Sequence, residues 1–222
     1  MRRPQKRWLI PLLLYGLFFI WYTDFGGPLT EDEIATFETT MVDLGYDPER
    51  VPYLSAFFRE DTGNQFLMVN VIDANQNPPE VAGAPPGADA DTLMGLYMEH
   101  MIPQLLSRAC HPTFVGNAVF SVIDVVGIDG AESWSDAALM RYRSRRALME
   151  IITHPAMRER HDFKIAALEK TIAYPVEPVF YLADLRLQLG LLLLIFTLLL
   201  DKWLGRKPAP RINSTKLEQP TS

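Results

Sequence analysis

Two strongly apolar runs lie near the two ends of the 222-residue chain. Residues 8–22 read WLIPLLLYGLFFIWY and residues 187–200 read LQLGLLLLIFTLLL, with no charged side chain in either run. Apolar runs that end in Trp, Tyr or charged residues are typical of transmembrane helices. The pattern predicts one membrane helix over residues 8–23 and a second over residues 179–203. The second is extended upstream because the 14 residues at 187–200 would rise only about 21 Å, against a hydrocarbon core of about 30 Å.

The first run also permits a second interpretation, that of a cleaved signal peptide. Basic residues precede it and its apolar core is short, as in such peptides. The sequence TDFGGPLT that follows is a poor match to a small-residue cleavage site. We therefore favour an uncleaved anchor, and cleavage stays open as the alternative.

Residues 24–65 are predicted to form a helical segment ahead of the main domain. Thr30 and Glu33 have the spacing of a capping box, and apolar positions then recur at helical spacing as far as about Leu44. Asp47 and Pro48 mark the start of a second, short helix, because proline is favoured in the first turn.

Residues 66–178 are predicted to form an α+β domain. The apolar run at 66–72 predicts a central strand, and the stretch 91–108 predicts a helix that Pro103 should kink. The remaining predicted elements are strands at 118–126 and 134–143, helices at 144–153 and 156–171, and a short edge strand within 174–178. This βαββα(β) order predicts a ferredoxin-like domain, with helices on one face of a four-stranded antiparallel sheet, between the two transmembrane helices. A second copy or the two N-terminal helices could cover the other face.

The net charge of −6 is unevenly distributed along the chain. Residues 24–185 hold 25 acidic and 11 basic side chains, whereas residues 1–7 hold four basic side chains and no acidic one. The positive-inside rule then predicts a two-pass inner-membrane protein with cytoplasmic tails at 1–7 and 204–222, the second of them disordered. The middle domain would be periplasmic if the host is a Gram-negative bacterium. Such an acidic domain argues against nucleic acid as a partner.

Arg143, Arg145 and Arg146 form the most distinctive polar cluster of the sequence. Ser144 among them is a plausible N-cap, and Tyr142 precedes them at the end of a predicted strand. Arginine forks beside a helix N-terminus suit a carboxylate or another anion, which makes these residues ligand-binding candidates. The competing interpretation is that the arginines pair with some of the domain's many acids, and we favour it.

His100 is a further ligand-binding candidate, because histidine titrates near neutral pH. It lies near the apolar stripe of the predicted helix 91–108, so a packed or half-buried histidine is the more common explanation. The four histidines show no spacing of a metal site, and Cys110 is the single cysteine. The sequence therefore predicts no intramolecular disulfide, no metal site and no cofactor, and it names no catalytic residue.

The stretch from Phe66 to Tyr174 contains three segments that together suggest a family. They are FLMVNV, MEHMIPQLLSRACHP and MRYRSRRALMEIITHPAMRERHDFKIAALEKTIAYP. These segments resemble the dimeric α/β-barrel group of ferredoxin-like proteins, and within that group the bacterial domain-of-unknown-function family 1330. The resemblance implies a homodimer that pairs sheet to sheet, and it implies no settled reaction.

Three functions are compatible with these patterns. The first is a membrane-anchored domain that acts through protein contacts, either in a homo-oligomer or as an accessory subunit of a larger membrane complex, with the lipid bilayer as its other partner. The alternative is a small-molecule enzyme or ligand sensor with a pocket beside Arg143, His100 and Tyr142. Transport ranks last, because two helices per chain are too few for a pathway and neither holds a buried ionisable residue.

Overall fold

The computed structural model describes residues 6–204, without the side chains of residues 6, 158, 159 and 204. The chain divides into two compact units. One consists of the described residues up to Phe18 and from Asp184 onward, and the other is Phe19–Ala183. The predicted tails fall outside the described residues at positions 1–5 and 205–222, so the prediction of a disordered C-terminal tail stays a prediction.

Helices α1 (Leu9–Tyr22) and α7 (Leu185–Leu204) stand where the two membrane spans were predicted. Helix α1 has only 14 residues, and the 20 residues of α7 include Arg186, Asp201 and Lys202. A spanning helix needs about 20 predominantly apolar residues, and charged side chains are costly in that setting. Among the described residues, no helix combines the length and the apolar character that a crossing requires.

The predictions of two transmembrane helices and of a two-pass inner-membrane location are therefore wrong. The upstream extension of the second span fails as well, because residues 179–184 are not helical. Residues near the ends of α1 and α7 contact each other in the unit formed by the described residues up to Phe18 and from Asp184 onward. There the Trp8 indole N–H donates to the Asp201 carboxylate at 2.9 Å, and Arg7 pairs with that carboxylate at 3.4 Å.

The N-terminal helical segment consists of α2 (Glu31–Asp43) and α3 (Arg50–Arg59). The capping box is present: the Thr30 hydroxyl accepts from the Glu33 N–H, and the Glu33 carboxylate accepts from the Thr30 N–H. The two helices share an apolar cluster in which Phe37 and Phe58 meet edge to face, with ring centroids 4.7 Å apart. Met149 of the later helix α5 (Arg145–Ile152) belongs to the same cluster.

The main unit is an α+β domain built on a four-stranded antiparallel sheet, as the sequence predicted. Its strands are β1 (Phe66–Ala74), β2 (His111–Asn117), β3 (Asp136–Tyr142) and β4 (Leu168–Val176). They are ordered β2-β3-β1-β4, and every neighbouring pair is antiparallel. The apolar strand β1 is central, as its composition indicated.

Two of the strand predictions are wrong in position. The second strand begins at His111 and ends at Asn117, whereas residues 118–126 are not a strand. The apolar letters at 118–126 suggested burial, but most of these side chains are exposed. The last helix ends at Ala167, and β4 takes over residues 168–171 because the ladder with β1 satisfies their backbone groups.

Helices α4 (Ala90–Ser107), α5 (Arg145–Ile152) and α6 (Pro155–Ala167) cover one face of this sheet. Phe66 and Tyr142 of the sheet form the main core with apolar side chains of the three helices. Helices α2 and α3 pack against α5, so they lie on the helix side. The two N-terminal helices therefore do not provide the predicted cover of the opposite face.

We call the face of the sheet opposite helices α4–α6 the open face. Strand alternation and the pairing register place nine apolar side chains on it. They are Leu67, Val69, Val71, Phe114, Ala137, Leu139, Ile172, Tyr174 and Val176. Phe114, Ile172 and Tyr174 are exposed, Leu67 is buried, and the other five are half-buried.

Candidate functional site

The arginine cluster lies at the junction where β3 ends and α5 begins. Ser144 has an extended backbone, and its hydroxyl accepts from the Ala147 N–H at 3.2 Å, which caps the helix. This cap fixes the direction of the chain, so the arginines on either side of it point to different surroundings.

Arg146 binds acidic and carbonyl oxygens of the N-terminal segment. Its guanidinium pairs with Glu33 at 2.7 Å and with Asp24 at 3.6 Å, and it donates to the carbonyl of Gly27 at 3.3 Å. The hydrogen bond from Arg146 is the largest cause that lowers the pKa of Glu33, from 4.5 to about 2. Arg146 therefore joins the first residues of the main unit to α5.

Arg145 lies at the edge of a small pocket. Its guanidinium stacks over the Phe57 ring at 4.4 Å, and it pairs with Asp61 at 3.7 Å and Glu177 at 3.5 Å. The pocket has a volume of about 180 Å³, and Phe57, Phe66, Arg145 and Glu177 help to line it. The arginine is thus already neutralised by acids of its own chain.

Arg143 makes fewer contacts than its neighbours. Its side chain donates to the Trp21 carbonyl at 3.2 Å, and its backbone N–H donates to the Cys110 sulfur at 3.3 Å. Its Nε atom is buried and has no hydrogen-bond partner among the described residues.

Tyr142 and His100 lie on the helix side of the sheet. Tyr142 is buried and stacks on Phe66, with ring centroids 5.1 Å apart, and burial raises the pKa of its phenol. His100 is half-buried on α4, and its buried Nδ1 has no hydrogen-bond partner among the described residues.

The five predicted site residues do not converge on one site. Where the structure describes side chains, no hydrogen bond or ion pair joins any two of Tyr142, Arg143, Arg145, Arg146 and His100. Arg145 and Arg146 instead bind acids and carbonyls of their own chain, which is the arrangement that the competing interpretation expected.

Arg141 is the most deeply buried charged side chain among the described residues, and sequence reasoning did not select it. The side chain is fully buried, and it donates to the carbonyls of Ala109 at 2.6 Å and Tyr22 at 3.0 Å and to the Gln65 side chain at 2.7 Å. The guanidinium also lies 3.5 Å from the centroid of the Tyr22 ring. Ala109 has a positive φ of 55°, a backbone conformation that alanine rarely adopts. The hydrogen bond from Arg141 to the Ala109 carbonyl helps to hold this conformation. The one feature of the sequence that could have selected Arg141 is strand alternation, which places it on the same face as the apolar Leu139.

Tyr22 also contacts the first residue of β2. Its hydroxyl lies 2.7 Å from Nε2 of His111, and His111 Nδ1 lies 3.0 Å from the Pro112 carbonyl. Because a carbonyl only accepts, Nδ1 donates to it, and Nε2 of the neutral ring accepts from Tyr22. The pair anchors the N-terminal segment to the start of β2.

Nothing in the described part of the chain assembles three or more His, Cys, Asp or Glu side chains that could hold a metal ion. Cys110 is buried, and burial raises the pKa of its thiol, which disfavours the reactive thiolate.

Comparisons with known proteins give no family. No protein-family model matches the chain, and no curated protein matches it. Among solved structures, a protein of unknown function from Rhodopseudomonas palustris is 18% identical with a TM-score of 0.49, over 61% of this chain and 95% of that one. A protein from Arabidopsis thaliana is 17% identical with a TM-score of 0.33, over 52% of this chain and 97% of that one. Membership of the domain-of-unknown-function family 1330 is not shown.

The buried position of Arg141 predicts a large loss of stability on its removal. Arg141→Met should lower the free energy of unfolding by about 3 kcal/mol or more, because it leaves buried carbonyls without a donor. The matched change Arg143→Met should cost about 1 kcal/mol or less, because that side chain makes a single hydrogen bond. Urea unfolding of the full chain measures both, and equal losses would contradict the role given to Arg141.

The lowered pKa of Glu33 predicts a pH-dependent contribution to stability. A carboxylate whose pKa falls on folding stabilises the fold above its unfolded pKa of 4.5, and it loses that effect as the pH falls toward about 2. Glu33→Gln keeps a residue that can complete the capping box. The stability difference between wild type and Glu33→Gln should therefore shrink as the pH falls from about 5 to about 2. Glu80→Gln, in an exposed loop, is the control, and a difference independent of pH would refute the assignment.

Proposed function

We propose that the sheet domain acts by self-association, in a homodimer that packs two open faces against each other. The observation that carries this proposal is the apolar, partly exposed open face on a domain whose helices α2–α6 lie on the other side. The protein would then act through protein contacts, either as the dimer itself or as a subunit of a larger complex.

The charges around the open face favour contact between two identical surfaces. Among the paired residues of that face, the charged side chains are Asp73, Lys170 and Arg141. Asp73 and Lys170 pair with each other at 3.6 Å at one end, and Arg141 is buried at the other. The centre of the face is therefore uncharged, so a second copy meets no like charge there.

The strand order adds support for a finer assignment. The order β2-β3-β1-β4 with helices on one side is that of a ferredoxin-like sheet. We extend the proposal to membership of the dimeric α/β-barrel group, in which sheets pair face to face. Nucleic acid is not expected as a partner, because the net charge is −6.

A ligand-binding function is the second candidate, and the pocket beside Arg145 favours it. At about 180 Å³ the pocket is smaller than the roughly 300–1,000 Å³ of most small-molecule sites. Its arginine is paired with Asp61 and Glu177, so little cationic character is left for an anion. Self-association therefore ranks first.

The proposed dimer predicts that a charge on the open face prevents association. Ile172→Glu should convert the full chain from dimer to monomer, because the interface would bury an unpaired carboxylate. Ile165→Glu is the matched control, since Ile165 is also exposed but lies on α6. Sedimentation equilibrium gives the mass of each variant. A dimer that survives Ile172→Glu, or that Ile165→Glu weakens equally, would contradict the proposal.

A further inference from the structure

The segment between β2 and β3 exposes apolar side chains to an unusual degree. We call residues 118–134 the arm. Val119, Phe120, Ile123 and Val126 of the arm are between 81% and 99% exposed. Their own chain therefore covers almost none of their surface, although contiguous exposed apolar groups are rare on monomeric proteins.

Backbone hydrogen bonds give the arm a defined shape. The Ala118 N–H donates to the Ser135 carbonyl at 2.7 Å, and the Val122 N–H donates to the Glu132 carbonyl at 3.0 Å. The two halves of the arm therefore run side by side as an irregular continuation of the β2–β3 hairpin.

Lys170 fixes the arm to the open face. Its Nζ lies 4.8 Å from the centroid of the Trp134 ring, and it donates to the Gly130 carbonyl. Lys170 also pairs with Asp73 across β4 and β1, on the open face. The arm therefore begins at one end of the open face, which is the surface that the proposed dimer buries.

The open face alone is smaller than the surface that a stable dimer interface buries on each partner. Four strands spaced about 4.8 Å apart, with seven paired residues at about 3.3 Å each, give a face of about 440 Å². A stable interface buries about 800 Å² on each partner. A single aromatic side chain such as Phe120 buries roughly 150–250 Å², so the four exposed apolar residues of the arm can provide the missing area.

We propose that the arm packs onto a second copy of this chain and completes the interface begun by the open faces. The inference rests on the proposed function, because it takes the same partner. It adds the arm's exposed apolar residues, above all Phe120 and Ile123, as contacts with that partner.

A double substitution in the arm tests the proposal. Phe120→Ser combined with Ile123→Ser should raise the dissociation constant of the full-length dimer by roughly tenfold or more, because two large apolar side chains leave the interface. The control is Val42→Ser combined with Tyr53→Ser, which removes two exposed apolar side chains from α2 and α3. That control should leave the dissociation constant unchanged.

The outcomes separate this inference from the proposed function. A dimer that Ile172→Glu dissociates but the arm substitutions leave unchanged would overturn the arm alone. A wild-type chain that stays monomeric at the highest attainable concentration would overturn both. A dissociation constant that the control raises as much as the arm substitutions do would also overturn the arm's role.

A spin label gives a second readout that does not depend on affinity. A nitroxide attached at Ile123→Cys reports on the arm alone, because the native Cys110 is buried. The label should be immobilised in the dimer and mobile when Ile172→Glu is added. A label that is equally mobile in both proteins would show that the arm does not contact the partner.

Discussion

Burial of the helix side of the four-stranded sheet is the interaction on which the rest of the structure depends. Phe66 and Tyr142 bring the two central strands into one core with α4, α5 and α6. Helices α2 and α3 then pack against α5, where Met149 joins their cluster. Helices α2–α6 thereby lie on one side, whereas Tyr22 at the end of α1 packs on Arg141 of the open face. The open face and the arm keep their apolar surface, and this imbalance is the physical basis of the proposal that a second copy is the partner.

The hydrogen bonds and ion pairs of the arginines hold together the chain segments around this core. Arg141 is a buried charge whose cost is offset because its nitrogens donate to Tyr22, Ala109 and Gln65 and its guanidinium lies over an aromatic ring. These bonds join the N-terminal segment, the start of β1 and the turn before β2 to the end of β3. Arg146, in the first turn of α5, joins chain segments in the same way through Glu33. The contacts of Arg141, Arg145 and Arg146 thus join segments of their own chain.

Features that depend on neighbouring residues could be predicted from the sequence, whereas features that depend on contacts between distant residues could not. The capping box at Thr30, the central strand β1 and the N-cap Ser144 follow from neighbouring residues, and each is present. The position of β2 depends on its pairing with β3, whereas local apolar composition indicates residues 118–126. The membrane prediction is wrong because apolar composition alone does not register the shortness of α1 or the charges in α7. The arginine candidates were separated by the Ser144 cap, whose effect on their directions requires three dimensions.

Isotope-filtered nuclear magnetic resonance tests the central claim most directly. The sample mixes full-length copies that carry carbon-13 methyl groups with unlabelled copies, so that only contacts between copies are detected. We expect nuclear Overhauser effects from the Tyr174 ring of one copy to the methyl groups of Val69, Val71 and Ile172 of the other. Effects that connect the copies only through helix surfaces such as Ile165, with none at these methyl groups, would contradict the claim.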